Sequence, residues 1–200
     1  MLIKRFIILT FILIFLDQIV KALVFIFFYE PHVHIDFIDG VLALCPFLNT
    51  QSVFLASIAG LLDFDISNRT IYTMFIIIFA LLYIGFILFL TSYFTFISNS
   101  INKKPINALC CFSSFAVAGA VCSLIDSLFW GGSLDFIMLF NSIIFDFKDA
   151  YIWISGVLAI LYIVQLTQSV IKLSKNERKS IPGFFKWIKM KCPITPQSAV

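Results

Sequence analysis

Three aspartates lie within or beside long apolar segments of this chain, where a carboxylate is energetically costly. Asp17 lies inside the first apolar segment, Asp126 near the end of the third and Asp149 near the start of the fourth. Ionisable residues in such segments are rare and mark sites that handle protons, ions or substrates. These three carboxylates are therefore the first candidates for chemistry.

Asp126 and Asp149 form the candidate catalytic pair. If the third and fourth apolar segments cross a membrane in opposite directions, both carboxylates lie at the same depth on adjacent antiparallel helices. Two carboxylates that share a site hold one proton between them, because both cannot ionise cheaply. The ionised member can take a proton from water while the protonated member polarises a carbonyl group. This pair predicts an aspartic hydrolase that uses no metal and no cofactor.

A structural interpretation of the same two residues stays open. An aspartate at a helix start caps backbone N–H groups, and one at a membrane boundary contacts lipid headgroups. For Asp149 in particular, capping is a serious competitor to catalysis. The residues alone do not decide between the two interpretations.

Asp17 and Lys21 are four positions apart and therefore share one helix face. An ion pair between them lowers the cost of placing both charges in a membrane. This spacing favours a structural role over catalysis. His32 and His34 alternate as on an extended strand, with no further ligand cluster nearby, so a metal site is not expected.

The composition is that of an integral membrane protein. Of 200 residues, 61% are hydrophobic and 12% are charged, and the mean hydropathy is +1.04. Such apolar runs cannot all be hidden in one small water-soluble core. The sequence predicts an all-α membrane fold, a four-transmembrane-helix bundle with a small strand-containing extracytoplasmic segment. The predicted spans are residues 6–28, 71–97, 106–128 and 151–170, and the predicted extracytoplasmic segments are residues 30–70 and 129–150.

Most lysine and arginine residues fall on one predicted side of this bundle. They occur before the first span, in the loop at Lys103 and Lys104, and in the tail at residues 173–200. This bias predicts that both termini are cytoplasmic and that the candidate site faces outward. We expect residues 1–172 to form one membrane domain, and the basic tail to contact anionic phospholipid headgroups rather than nucleic acid.

Five stretches of the chain resemble, in order, motifs of the lipoprotein signal peptidases (signal peptidase II). Residues 16–21 (LDQIVK) resemble D-Q-x-T-K, residues 48–54 (LNTQSVF) resemble N-x-G-A-A-F, residues 118–127 (AGAVCSLIDS) resemble G-G-A-x-G-N-L-I-D-R, residues 134–137 (LDFI) resemble V-D-F-I, and residues 145–149 (FDFKD) resemble F-N-x-A-D. Each motif alone is a weak signal, but their order on a four-span topology is specific.

The resemblance implies roles for individual residues. It places Asp126 and Asp149 on the family's catalytic positions. The positions expected to bind substrate are Asp17, Lys21, Asn49, Phe54, Ser123, Asp135 and Asp146.

The resemblance also implies a reaction. A family member removes the signal peptide of a prolipoprotein by cleaving before a cysteine that carries diacylglycerol, at the outer face of a bacterial cytoplasmic (inner) membrane. Residues 30–70 would form a strand-rich platform over an apolar groove, and residues 129–148 a covering element. We expect a monomer whose partners are lipid-modified prolipoproteins and membrane phospholipids.

The chain departs from the family's motifs at Val20, where threonine is usual, in residues 48–54, where the glycine is lost, and at four positions near the candidate catalytic aspartates. Ser123 and Asp146 replace asparagine, Ser127 replaces arginine and Lys148 replaces alanine. Asp146 adds a negative charge one helical turn before Asp149 and is expected to favour its protonated form, which Lys148 would offset.

Three other functions stay open at this level. A four-span thiol oxidoreductase would need cysteine pairs in the outward segments, where the sequence has only Cys45. A small transporter would use Asp17, Asp126 and Asp149 as an ion path. A catalytically inactive relative would retain lipoprotein binding without cleavage.

Overall fold

Within the residues that the structure describes, the chain forms four long helices and one small sheet. The computed structural model describes residues 2–29, 33–50, 69–100 and 107–173, together with Trp187. The helices are α1 (Leu2–Phe28), α2 (Arg69–Ser100), α3 (Asn107–Ile125) and α4 (Phe147–Ile171), and a π-helical turn (Asp126–Trp130) continues α3. The strands β1 (Ile35–Ile38), β2 (Leu42–Asn49), β3 (Ser133–Leu139) and β4 (Ile143–Phe145) form an antiparallel sheet in that order.

All four helices are long and apolar enough to cross a membrane. The apolar spans are Ile3–Phe28, Thr73–Ser100, Ala108–Trp130 and Phe147–Ile171. The predicted four-span bundle with a small strand-containing segment is thereby confirmed. The fourth helix begins earlier than the predicted residue 151, because Asp146 caps its first turn and so extends it over polar residues.

The third helix, α3, is the central helix of the bundle. In its apolar window 56% of the residues are buried, against 22% or less in the other three spans. Small side chains such as Ala116 and Ala118 are fully buried there. A Cβ added at Gly119 would lie 2.8 Å from the Ile152 side chain and 3.2 Å from the Lys148 carbonyl oxygen. The small residues therefore let the backbone of α4 approach α3 closely.

One sheet joins the two segments that lie outside the spans. β2 follows α1 in the chain, and β3 follows the π turn, yet the two strands pair directly, with Asn49 opposite Ser133. The platform and the covering element that the sequence predicts as separate parts therefore belong to the same sheet. Each segment pairs its own two strands, and the pairing of β2 with β3 satisfies the backbone hydrogen bonds along the edges that the two hairpins leave open.

An apolar cluster fixes β3 against the membrane helices. Leu134 and Phe136 of β3 are buried with Val24 of α1. The ring of Phe136 also meets the ring of Phe147 in α4 edge to face, with the centroids 5.5 Å apart. Because the residues on both sides of Asp135 are packed in this way, the position of that aspartate is fixed.

Trp187 is the residue of the basic tail that the structure describes. It is 3% exposed and packs against three aromatic rings of α2, those of Phe89, Tyr93 and Phe96, at centroid distances of 5.1, 5.2 and 6.4 Å. The tail therefore contacts the membrane bundle at this residue.

The close approach of α3 and α4 predicts opposite outcomes for two glycine substitutions. Gly119→Ala should lower the free energy of unfolding by about 1 to 3 kcal/mol, because the added methyl group displaces Ile152. Gly85→Ala in α2 is the matched control, since nothing lies within 4 Å of its added Cβ. This control should be neutral or stabilising by up to about 1 kcal/mol. Thermal unfolding in detergent measures both, and equal responses would contradict the proposed packing.

Candidate active site

Lys21 lies at the centre of a buried charge cluster. Its Nζ atom lies 3.0 Å from Asp17, 2.6 Å from Asp126 and 2.7 Å from Asp146, and its side chain has no exposed surface. The ion pair with Asp17 that the sequence predicts is confirmed, but it is one of three. A cation of α1 thus holds together the π turn and the cap of α4.

Lys148 supplies a second buried ammonium group. Its Nζ atom lies near four carboxylates: Asp146 at 2.5 Å, Asp126 at 3.4 Å, Asp135 at 3.7 Å and Asp149 at 3.8 Å. It also donates a short hydrogen bond to Ser133 Oγ. Asp126 and Asp149 therefore contact the same ammonium group. The two carboxylate oxygens that contact it can be no farther apart than the sum of their distances to Nζ.

The start of α4 brings Asp146 and Asp149 into this cluster. The N–H of Asp149 donates to Asp146 Oδ1 at 3.1 Å, and the N–H of Asp146 donates to Asp149 Oδ2 at 3.4 Å. This reciprocal cap confirms the structural role that competes with catalysis at Asp149. It leaves Asp149 Oδ1 facing Lys148, and 38% of the Asp149 side chain is exposed. Asp149 therefore caps the helix and still offers one carboxylate oxygen to a ligand.

The π-helical turn positions Asp126, its first residue. The turn ends at Gly131, whose φ of 73° lies in the left-handed region that favours glycine. The N–H of Gly132 then donates to the carbonyl oxygen of Asp126 at 3.4 Å. Single π turns inside α-helices are frequent at functional sites, because they widen the turn and redirect side chains. The Asp126 side chain itself is 3% exposed.

Gln18 and Trp130 orient Asp126 from the side of α1. Gln18 Nε2 donates to Asp17 at 2.9 Å and to Asp126 Oδ1 at 3.3 Å. Trp130 Nε1 donates to Gln18 Oε1 at 3.1 Å, which fixes the orientation of the amide group. Sequence reasoning did not assign Gln18 to the site, although its place directly after Asp17 was a usable signal.

The sheet contributes Asn49, Ser133 and Asp135. Asn49 Nδ2 donates to Asp135 Oδ2 at 3.4 Å, and Ser133 Oγ donates to Asp135 Oδ1 at 2.5 Å. A Cβ added at Gly132 would lie 2.7 Å from the Asn49 carbonyl oxygen, so a glycine is needed for β2 to approach here. Asn49 and Asp135 thus join the cluster that the resemblance predicts, whereas Ser133 carried no motif that could have identified it.

One predicted substrate-binding residue lies outside this network of described residues, and another cannot be placed. Ser123 donates its hydroxyl to the Gly119 carbonyl oxygen within its own helix, at 3.0 Å. Phe54 lies outside the described residues.

Carboxylates outnumber ammonium groups in the cluster. The five carboxylates are those of Asp17, Asp126, Asp135, Asp146 and Asp149, and the two ammonium groups are those of Lys21 and Lys148. Because uncompensated negative charge is costly to bury, the position of each of these two ammonium groups matters for the stability of the cluster.

Two groups outside the spans show how this charge is distributed. Burial raises the pKa of Asp135, although Lys148 opposes the shift. Burial also acts to raise the pKa of Asp146, but Lys148 and Lys21 outweigh it and hold that pKa below its ordinary value of 3.8. Asp146 is therefore a fixed counter-ion for both lysines, and Lys148 forms with it the ion pair through which the predicted offset would act.

Three carboxylates of the cluster also approach each other as metal ligands do. Oxygens of Asp135, Asp146 and Asp149 lie within 4.8 Å of one another. The ammonium of Lys148 contacts all three, so the protein itself supplies positive charge at this point. His34 lies apart, in an exposed pair with Asp36. The predicted absence of a metal stays a prediction.

The fold and the site together define a class of protein, the membrane-embedded aspartic hydrolases. Residues 9–166 match the family model of signal peptidase (SPase) II, and the chain therefore belongs to the signal peptidase II family. This confirms the predicted family, the aspartic peptidase class and the lipoprotein signal peptidase activity. No curated protein sequence matches the chain.

Solved structures share the fold. One, described as a bacterial membrane enzyme solved by the in meso method at 2.3 Å, has a TM-score of 0.63 and 19% sequence identity, and the match covers 86% of this chain and 94% of the other. A second, described in the same words at 1.9 Å, has a TM-score of 0.62 and 17% identity, and its match covers 82% and 94%. At these identities the likeness concerns the fold.

The position of Lys21 predicts a large effect of removing its charge. Lys21→Met leaves the carboxylates of Asp17, Asp126 and Asp146 without their shared cation and should lower the free energy of unfolding by about 3 to 5 kcal/mol. The matched control is Asp36→Asn, which breaks the His34 pair whose side chains are 42% and 43% exposed. That control should cost less than about 1 kcal/mol. Thermal unfolding in detergent compares the two, and a small loss for Lys21→Met would contradict a central role.

The ion pairs of Asp146 predict a pH-dependent difference in stability. Because the folded-state pKa lies below 3.8, the stabilising contribution is present above pH 3.8 and is lost as the pH falls through the folded-state pKa. The difference in unfolding free energy between wild type and Asp146→Asn should therefore be largest near neutral pH and shrink in acid. Unfolding midpoints at about pH 7, 5 and 3 measure it. A difference that is equal at all three would contradict the ion-pair account.

Proposed function

We propose that Asp126 and Asp149 are the catalytic pair that removes signal peptides from lipoprotein precursors in this protein. The observation that carries the proposal is the contact of both carboxylates with one Nζ atom, that of Lys148, at 3.4 and 3.8 Å. Side chains from two separate elements, the π turn and the first turn of α4, converge there. Such convergence of titratable groups is the usual mark of an active site.

The surroundings of the two aspartates favour different roles. Asp126 is nearly closed off and accepts hydrogen bonds from Lys21 at 2.6 Å and Gln18 at 3.3 Å. Asp149 has a partly exposed carboxylate whose Oδ1 has only a long contact to Lys148. We therefore assign proton transfer to Asp149, which water can reach, and orientation of that water to Asp126.

Apolar side chains beside the pair suit a lipid-modified substrate. Leu128 and Phe129 lie two and three positions after Asp126 in the π turn and are 54% and 80% exposed. Phe25 of α1 stacks edge to face on Trp130 at the end of the same turn. A signal peptide helix whose cysteine carries diacylglycerol would contact this apolar edge and present the peptide bond before that cysteine to the pair.

The distribution of basic residues supports an orientation. Lys4, Arg5 and the tail after α4 lie at the ends of spans opposite to Asp126 and Asp149 in a four-span topology. The positive-inside tendency then favours cytoplasmic termini, an outward-facing site and residence in a bacterial inner membrane, with the tail on anionic phospholipids. The protein would act as a monomer, because the proposed pair comes from a single chain.

Substitution of either aspartate should abolish cleavage. Asp126→Asn and Asp149→Asn should each lower the rate of prolipoprotein cleavage by about 10² to 10⁴-fold, the range that a general acid or base contributes. The measurement uses purified protein in detergent with a diacylglyceryl-modified prolipoprotein. The control is Asp39→Asn, at an exposed position in the turn between β1 and β2, which should leave the rate unchanged.

The outcomes separate three functions. Loss in both variants with unchanged unfolding midpoints supports the pair. Cleavage that survives either substitution would overturn it. A wild type that binds the precursor without cleaving it would identify an inactive relative instead.

A further inference from the structure

The ammonium of Lys148 contacts both proposed catalytic carboxylates, those of Asp126 and Asp149. Two of its three N–H donors are taken up at short range, by Asp146 at 2.5 Å and by Ser133 Oγ. Its remaining contacts, to Asp126 at 3.4 Å, Asp135 at 3.7 Å and Asp149 at 3.8 Å, are longer than a well-formed charged hydrogen bond. Among the described residues, one donor is therefore left without a close acceptor, at a point that both proposed catalytic aspartates contact.

A cation at this position changes what the aspartic pair must supply. Two carboxylates without a cation share a proton, and the protonated member polarises the substrate carbonyl. Lys148 offsets the repulsion between Asp126 and Asp149 and already carries a donor that can polarise a carbonyl group. The ammonium can therefore take over the electrophilic role.

We propose that Lys148 is a further catalytic residue, whose third N–H donates to the carbonyl oxygen of the scissile peptide bond. This inference rests on the proposed function and names a third member of the same site. Donors aimed at an oxygen that gains charge in the transition state are among the strongest contributors to acyl transfer.

The reaction balances without any added reactant. The oxygen of a water molecule forms a bond to the carbonyl carbon while Asp149 takes a proton from that water. The carbonyl π electron pair moves to the oxygen, where the Lys148 N–H stabilises the negative charge. The pair on the oxygen then re-forms the carbonyl bond as the C–N bond breaks, the leaving nitrogen takes the proton from Asp149, and Lys148 keeps all its protons throughout.

The contacts of Lys148 with Asp17 and Ser133 hold its position and leave its ammonium group as a hydrogen-bond donor. Its backbone N–H donates to Asp17 Oδ1 at 3.2 Å, which ties the residue to α1. Ser133 Oγ gives its own proton to Asp135 and so receives the proton of Lys148. A serine nucleophile activated by a neutral lysine is therefore disfavoured, because this ammonium is surrounded by carboxylates. Ser133 and Asp146 are positioning residues for the Lys148 donor.

The test compares Lys148→Ala with the double variant Asp146→Asn/Lys148→Ala. The double variant removes both charges of the 2.5 Å ion pair and so preserves the net charge of the cluster. Cleavage of a diacylglyceryl-modified prolipoprotein in detergent gives kcat and KM for each variant, and unfolding midpoints show whether each is folded. The double variant decides the question if Lys148→Ala alone fails to fold.

We expect kcat to fall by about 10² to 10³-fold in both variants, with KM changed by less than about threefold, as for the loss of one transition-state donor. Recovery of kcat in the double variant to within about fivefold of wild type would overturn the proposal, because Lys148 would then only balance Asp146. A Lys148→Ala variant as active as the wild type would overturn it too, and would leave the aspartic pair intact. An inert wild type would overturn the proposed function and this inference together.

Discussion

The structure depends on how two buried ammonium groups offset part of the charge of five carboxylates. A charge without a partner is costly to remove from water, and the effective penalty is several kcal/mol per ion. Lys21 of α1 therefore has to contact both Asp126 and Asp146. This requirement restricts where the π turn starts and where α4 begins, because the two aspartates lie at those points. These ion pairs therefore fix how the helices are arranged at this end of the bundle. The apolar, lipid-facing surfaces cannot do so, because they pack with little preference for one orientation.

The same constraint connects packing to chemistry. Gly119 lets α4 approach α3, which brings the first turn of α4 beside the π turn. The sheet then closes over the end of the helices and adds Asp135 to the cluster. A site built on packed elements holds its groups more accurately than one built on loops, as hydrolysis by positioned carboxylates requires.

Much of the architecture could be predicted from residues that act locally or through composition. The long apolar runs predict the four spans, and the i, i+4 spacing predicts the pair of Asp17 with Lys21. The juxtaposition of Asp126 with Asp149 follows from the topology of two antiparallel spans. Each of these inferences requires only the periodicity of an α-helix and the number of residues that span a membrane.

The rest depends on contacts between distant parts of the chain. Asn49 and Asp135 are 86 positions apart, and no local pattern gives the register that pairs β2 with β3. Ser133 follows two glycines and has no signature of its own. Lys148 could be identified as a counter-ion for Asp146 but not as a contact of four carboxylates, since that depends on where its flexible side chain ends.

A structure of the wild type with an uncleavable prolipoprotein analogue tests the central claim most directly. The analogue carries diacylglycerol on its cysteine and a hydroxyethylene group in place of the scissile peptide bond. Its hydroxyl group is predicted to lie within roughly 2.6 to 3.2 Å of a carboxylate oxygen of both Asp126 and Asp149, the range required for proton transfer. An analogue bound with that group away from both aspartates, while the two carboxylates remain closed on Lys21 and Lys148, would contradict the account.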